Sequence, residues 1–294
     1  MVIKLDDLVK YIKSMDNYFT QKFMYKYKLI HFKTSDGKLL EFNFVGQGTE
    51  GIVYKIDSYA IKFYKNYVNS SGTNKEIEML ELCNQLHKEN ITIHTSNLNA
   101  YFVKFSKLII ITDLANGDLN GWLLIKHTDE EWMQMIFQLT YTILCMQKCI
   151  ITYHSDLKLK NILYKVLKTP VTLIYKIKYK TETFDISFKT MTIFMISDFG
   201  VANSILLKNN KLSNDDIMLH INNNSDLESL KSLYNRLLVL LLIETYSEDD
   251  IKKIGSKDSS FLSYVETEKR KLTKSQHSEY LQKYLLLRSM SYFV

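Results

Sequence analysis

The chain has 294 residues, 46% of them hydrophobic and 24% charged, a balance that suits a folded globular protein with apolar material for one large domain or two lobes. Its 38 basic and 32 acidic side chains leave a net charge of +6; the lysines are scattered and build no dense basic arm, which argues against a nucleic-acid partner. The longest apolar run, Leu237 to Ile243, is too short to cross a bilayer, and the opening MVIKLDDLVKYIKSM lacks the apolar core of a secretory signal.

Cys83, Cys145 and Cys149 show neither a paired framework nor zinc-like spacing, so buried free thiols in a reducing interior are expected. Residues 3–13 pattern as a short amphipathic helix. From Leu40 the period changes to two: Leu40, Phe42 and Phe44 alternate with Glu41 and Asn43, which predicts a strand. That strand runs into VGQGTEGIV and then YAIKFY, a second and a third strand. SSGTN reads as a loop, KEIEMLELCNQL as a helix, and LIIIT as a buried strand. Trp132, Met135, Ile136, Leu139, Ile143 and Met146 share one helical face. Residues 171–197 return to β character, and Leu227, Leu230, Tyr234, Leu237, Leu238 and Leu241 mark a strongly apolar helix. A strand-rich part of roughly 115 residues followed by a helix-rich part predicts an α+β protein of two lobes.

Gly46, Gly48 and Gly51 form G-x-G-x-x-G. The spacing alone is shared with dinucleotide folds, but those lead from strand to helix, whereas here a strand, IVYKI, follows. A glycine hairpin between strands lets backbone N–H groups approach phosphates without Cβ clashes; an ordinary glycine-containing hairpin fits the loop equally well. Lys62 then stands among apolar strand residues. A buried ammonium is costly without an anion, and Glu76 is its expected partner, with Glu78 and Glu81 as alternatives. Further on, HSDLKLKN places Asp156, Lys158 and Asn161 close together, and SDFG places Asp198 before a Phe-Gly pair. Phosphoryl transfer needs such parts, since it depends on positioning and charge neutralisation more than on covalent chemistry.

VGQGTEGIV, YAIK, HSDLKLKN and SDFG, in that order, resemble the signature of the eukaryotic-type protein kinases, over roughly residues 40–245. The resemblance implies a single kinase domain over 1–294. Its β-rich N-lobe would take about residues 1–114. A mainly helical C-lobe would take about 115–294, with an enlarged β insertion at about 164–195. It implies ATP and Mg2+ as cofactors and protein hydroxyls as acceptors; Lys158 points to serine or threonine. By the same resemblance Asp156 is the catalytic base, Lys158 steadies the transferring phosphate, Lys62 pairs with Glu76, and Asn161 and Asp198 hold magnesium. Val45, Gly46, Gln47, Gly48, Thr49, Glu50, Gly51, Ile52 and Val53 would form the loop over the nucleotide. Val53 and Ala60 would roof the adenine and Leu163 floor it. Ile111 would guard the back pocket, Thr112 to Leu114 supply the hinge, and Asp118 reach the ribose. Asp226 resembles the aspartate that opens the long central helix of the C-lobe; a helix N-terminal acid is the plainer account.

The chain departs from the family in three places. Ser155 replaces the arginine of H-R-D, which usually pairs with a phosphorylated activation loop. Residues 201–225 contain no A-P-E and no glutamate. The interval from Asn161 to Asp198 is much longer than the usual short hairpin. This insertion, the truncated C-terminal part and a composition rich in Asn and Lys are similar to kinases of large DNA viruses of poxvirus-like or insect-virus types; Pro170 is the one proline. The place of action would then be the host cell cytoplasm or the virion. Two other functions fit parts of the pattern. A small-molecule phosphotransferase of related fold would usually lack Lys158. A pseudokinase scaffold would not need Lys62, Asp156, Asn161 and Asp198 intact.

Overall fold

The period-two stretch at Leu40 lies inside β2 (Leu39–Gln47), which passes through the glycine loop into β3 (Gly51–Ile56) and then β4 (Tyr59–Tyr64). With β1 (Leu29–Lys33), β5 (Leu98–Lys104) and β6 (Lys107–Asp113) they form a six-stranded antiparallel sheet in the order β1-β2-β3-β4-β6-β5. Leu108 to Ile111 in β6 are all buried, as expected of a continuous apolar run in a covered strand. This computed structural model describes residues 3–65, 71–125, 127–179, 182–208, 212–223 and 225–230. The chain divides into two compact units, 1–223 and 224–294. Of the second, residues 225–230 are described and are helical.

The N-terminal helix runs over α1 (Leu5–Ser14), followed by α2 (Asn17–Lys22). Leu8, Ile12, Met15 and Phe23 join Phe42, Tyr54, Ile61 and Phe63 of the sheet in one core. Phe23 stacks on Phe63 with centroids 4.1 Å apart and meets Phe42 and Tyr54 edge-on at 5.1 and 5.0 Å. The Tyr54 hydroxyl donates to the Phe23 carbonyl at 3.2 Å.

Next comes α3 (Ser71–Lys88), which already includes Ser71 to Asn74 and so corrects the expected loop there. Gly72 costs about 1 kcal/mol in a helix, a weak preference that tertiary packing of the following turns overrides: Ile77, Met79, Leu80, Cys83 and Leu86 are all buried. Cys83 is a buried free thiol, as expected, whereas Cys145 is half-buried and Cys149 exposed.

After β7 (Gly117–Asp118) and α4 (Leu119–Trp122) comes α5 (Asp129–Cys149). It starts with a capping box in which Thr128 and Glu131 satisfy each other's backbone N–H groups. Its buried face holds Met135, Ile136, Leu139, Ile143 and Met146. The β-rich stretch is one long hairpin of β9 (Ile162–Tyr179) and β10 (Glu182–Ile196). Gln138 of α5 holds it through both ends of its amide, donating to the Thr192 carbonyl at 3.1 Å and accepting from the Phe194 N–H at 2.8 Å. The short pair β8 (Thr152–Tyr153) and β11 (Asn203–Ser204) and the helix α6 (Asn214–Asn222) complete the unit. Among the described residues beyond 115, the hairpin strands hold 18 and 15 residues against 21 in α5, so this part is mixed rather than mainly helical. The apolar helix expected around Leu237 lies outside the described residues. Among those described, no helix is long and apolar enough to cross a membrane.

His94 ties the hairpin down from a second side. Its Nδ1–H donates to the Phe194 carbonyl and its Nε2 accepts from the Tyr175 hydroxyl, both at 2.9 Å. Burial holds its pKa down at about 4. Between about 6.5 and about 4 the unfolded chain therefore binds a proton that the folded chain refuses, and stability rises with pH across that window, by about 3 kcal/mol in all. His94→Gln removes the titration. Urea unfolding at pH 7 and pH 4.5 is expected to show the gap between wild type and variant narrowing at the lower pH; an equal gap at both would refute the assignment.

Candidate active site

Lys62 lies in the middle of the sheet, opposite Val53 of β3 and Ile110 of β6. Its ammonium donates to both carboxylate oxygens of Glu76 at 2.9 Å. The side chains are 22% and 6% exposed, so this is a largely buried pair. Asp198 Oδ1 lies 3.7 Å from the same ammonium, and the Tyr64 ring centroid 4.7 Å from it. Burial opposes the Lys62 charge, but Glu76, then Asp198 and Glu50 outweigh it and hold its pKa above the ordinary lysine value. Burial raises the pKa of Glu76, and Lys62 opposes that rise. The two 2.9 Å contacts are those of an ionised pair. The alternatives point elsewhere: Glu78 accepts from the Lys208 N–H at 3.2 Å, and Glu81 meets Tyr101.

HSDLKLKN closes on itself. Asp156 Oδ2 accepts from Lys158 Nζ at 2.6 Å and from Asn161 Nδ2 at 3.1 Å. Asn161 Nδ2 also donates to the Asp156 carbonyl at 2.9 Å, and the Asn161 N–H to the Lys158 carbonyl at 2.8 Å. The long hairpin starts directly after Asn161 and ends directly before Ser197, with Ile162 paired to Ile196. Its base therefore returns the chain to where it left. The Ser197 N–H and hydroxyl both donate to the Asn161 carbonyl, at 2.8 and 3.0 Å. Asp198 follows in the left-handed region (φ 63°), with Phe199 buried against the His154 ring. Its carboxylate is half exposed.

Around the expected nucleotide space, Ala60 pairs with Thr112, Leu163 pairs with Asp118, and the Leu114 N–H donates to the Ser58 carbonyl at 2.8 Å. Val53, Ala60, Thr112, Leu114, Asp118 and Leu163 are half-buried, and Val45, Gln47, Gly48, Thr49 and Glu50 are exposed. Ile111 is buried in the sheet core. The Asp118 carboxylate caps α4 by accepting from the Gly121 N–H at 3.0 Å. Ile52 corrects one expectation. Its side chain belongs to the core under the N-terminal helices, because alternate strand residues face opposite ways and Val53 takes the other face. Asp226 stands within the helical residues 225–230.

Three contributors escaped sequence reasoning. Buried His154 donates through Nε2 to the Ser197 carbonyl at 3.0 Å and accepts through Nδ1 from the Asp156 N–H at 3.3 Å. Ser197 is the second. Lys75 is the third: it is 1% exposed, and its ammonium donates to Asn203 Oδ1 at 2.6 Å. Only His154 carried a signal, as a ring flanking the acidic motif.

Among the described residues, no three His, Cys, Asp or Glu side chains gather as a metal cluster. No protein-family model and no curated protein matches the chain. A solved structure described as the kinase domain of PF14_0431 aligns at 17% identity with a TM-score of 0.41, over 62% of this chain and 58% of that one. The matched part thus falls short of two thirds of that domain, and similarity at this level does not assign a family.

Removing one member of a buried ion pair strands the other. Lys62→Met is expected to cost about 3–5 kcal/mol of stability, and Lys62→Met combined with Glu76→Leu distinctly less. Urea titration of both variants checks this; equal losses would show that Glu76 is not stranded.

Proposed function

We propose that the chain is a serine/threonine protein kinase that transfers the γ-phosphate of ATP to protein hydroxyl groups. One observation carries the reading: Asp156, Lys158 and Asn161 contact one another, Ser197 bonds Asn161, and the following Asp198 reaches the Lys62–Glu76 pair. Distant stretches of sequence thereby converge on one site. The glycine loop supports the same reading. A Cβ on Gly51 would stand 2.9 Å from the Phe63 carbonyl, so packing demands glycine there. Cβ atoms on Gly46 and Gly48 would meet nothing within 4 Å, and neither has positive φ. Their lack of side chains serves no contact among the described residues and leaves room for a phosphate to approach the backbone.

The donor set suits magnesium, which takes oxygen ligands and often one or two from protein, with phosphates and water completing the shell. Asn161 spends its amide N–H groups on Asp156, so its Oδ1 remains for a cation, beside the half-exposed carboxylate of Asp198. The ion, when bound, offsets phosphate charge. Lys62, held charged by Glu76, is the cation for the phosphate chain. Asp156 is oriented through Oδ2 by Lys158 and Asn161, which leaves Oδ1 to take the proton of the acceptor hydroxyl. Lys158 is placed to follow the phosphate as it moves. Kinship with kinases of large DNA viruses, and action in the host cytoplasm or virion, belong to the same proposal and rest on the Asn- and Lys-rich composition and on the long insertion between Asn161 and Asp198.

Asp156→Asn is expected to lose about 10²–10⁴-fold in transfer rate while still binding Mg-ATP. Asp198→Ala is expected to lose Mg-dependent binding of ATP, and Asn161→Ala to lose less of it. Transfer assays with labelled ATP, run beside calorimetric titrations, check all three. Near-wild-type turnover of Asp156→Asn would end the proposal.

The start of the segment after Asp198 is fastened without phosphate. Ser155 donates through its hydroxyl to the Val201 carbonyl at 2.8 Å, and Lys75 holds Asn203. The enzyme is therefore expected to be active after phosphatase treatment. A rate loss beyond about tenfold, restored by prephosphorylation, would show control by phosphorylation.

A further inference from the structure

At the tip of the glycine loop, beside glycines suited to phosphate, stands a carboxylate, Glu50. The loop is turned by a 2.9 Å bond from the Gly48 N–H to the Gly51 carbonyl. Lys65 holds it down. Its N–H donates to the Glu50 carbonyl at 2.9 Å, and its ammonium to the Gly48 and Thr49 carbonyls at 3.0 and 3.2 Å. From this anchored loop the Glu50 side chain crosses the site. Its Oε2 lies 3.3 Å from where a Cβ on Gly200 would stand, and Glu76 Oε2 lies 3.7 Å from that same point. Because Gly200 has no side chain, the Glu50 carboxylate lies over the backbone just beyond Asp198.

The charges of the site then do not balance. Among the described residues Lys62 and Lys158 stand with the carboxylates of Glu50, Glu76, Asp156 and Asp198, while the Lys65 ammonium is taken up by the Gly48 and Thr49 carbonyls. Even with Lys65 counted, three lysines stand with four carboxylates among the described residues before any ligand arrives. Glu76 and Asp156 are each matched by a lysine. Asp198 has the role proposed above. Glu50 forms no ion pair among the described residues and acts on Lys62 behind Glu76 and Asp198, at the side where a phosphate chain would enter.

We infer that the Glu50 side chain is a specificity-determining group of this site, which opposes a bare phosphate chain and admits one whose charge a divalent cation has offset. The inference rests on the reading of the site as a nucleotide site. Backbone N–H groups of the glycine loop favour phosphate, and the Glu50 carboxylate sets the charge that the phosphate is allowed to carry. An uncharged ligand that fills only the adenine space is indifferent to it.

The test uses the full chain and Glu50→Gln, which keeps size and removes charge. Binding of ATP, ADP and adenosine is measured calorimetrically, each with excess Mg2+ and each with a chelator. In Glu50→Gln the affinity for metal-free ATP is expected to rise by at least about tenfold, about 1.4 kcal/mol. The gain should be smaller for Mg-ATP and absent for adenosine, and it should shrink as ionic strength rises. An unchanged ratio of metal-free to Mg-ATP affinity overturns the inference. So does an equal gain for adenosine, or a loss of nucleotide binding in the variant. If the wild type binds Mg-ATP and the variant behaves identically, the inference alone falls. If the wild type binds neither Mg-ATP nor adenosine, the nucleotide reading falls and the inference with it.

Discussion

A carboxylate buried as deeply as Glu76 stays ionised only where a cation meets it, and Lys62 is that cation. The pair does more than neutralise. Lys62 belongs to an interior strand bonded on both sides, so its backbone is held by two neighbours. Helix α3 cannot slide or rotate without stranding Glu76, and that penalty amounts to several kcal/mol. The residue before it completes the restraint. Successive helical residues point about 100° apart, so Lys75 faces a different neighbour and bonds Asn203 in the segment after Asp198. Two adjacent side chains thereby fix one helical turn against both the sheet and the loop that carries the second acidic motif.

The acidic motifs and the turn before the first of them hold residues in unfavourable backbone conformations. Ile151, Ser155 and Asp198 all have positive φ, which is costly for residues with a Cβ and most of all for a β-branched one. Each such residue costs on the order of 1–3 kcal/mol unless its surroundings compensate. The compensation is visible: the Ser155 hydroxyl bonds the Val201 carbonyl, His154 bridges Ser197 and Asp156, and Phe199 is buried beside Asp198. The backbone strain turns Asp198 outward while Phe199 turns inward. An exposed carboxylate on a buried support is what a group needs if it must meet a ligand without moving.

Much of this was legible in the sequence because it follows local rules. Alternation at Leu40, Phe42 and Phe44 marked β2, the continuous run at Leu108–Ile111 marked β6, and an out-of-place lysine called for an acid that proved to be Glu76 in space. What was not legible depends on partners far away in the chain. Nothing local distinguishes Lys75 from a solvated helical lysine, since its partner Asn203 lies 128 residues on. Ile52 and Val53 are both apolar, and only the N-terminal core decides which one turns from the glycine loop. Ser71 to Asn74 carry loop chemistry, yet the burial of the turns that follow draws them into α3. Strand β1 is five residues long, too short for its alternation to stand out before its pairing with β2 is known.

The long hairpin shows how a long interval between Asn161 and Asp198 still leaves the two on neighbouring backbone. A two-stranded ribbon is marginal by itself, but this one is held along its length by α5. Gln134 bonds the Lys189 carbonyl, Gln138 bonds Thr192 and Phe194, and Phe137 packs edge-on against Tyr175 and Phe188. On the opposite strand Tyr175 bonds His94. These anchors fix the two strands on the side of the hairpin that leads to Asn161. Loop closure grows only slowly with length, by about 0.6 kcal/mol per doubling, and strand pairing offsets even that. What cannot vary is the base. Ile162 must meet Ile196 for the Asn161 carbonyl to receive both donors of Ser197, and those two hydrogen bonds keep the amide of Asn161 and the carboxylate of Asp198 on neighbouring backbone. The length of the interval is therefore free, and its register is not.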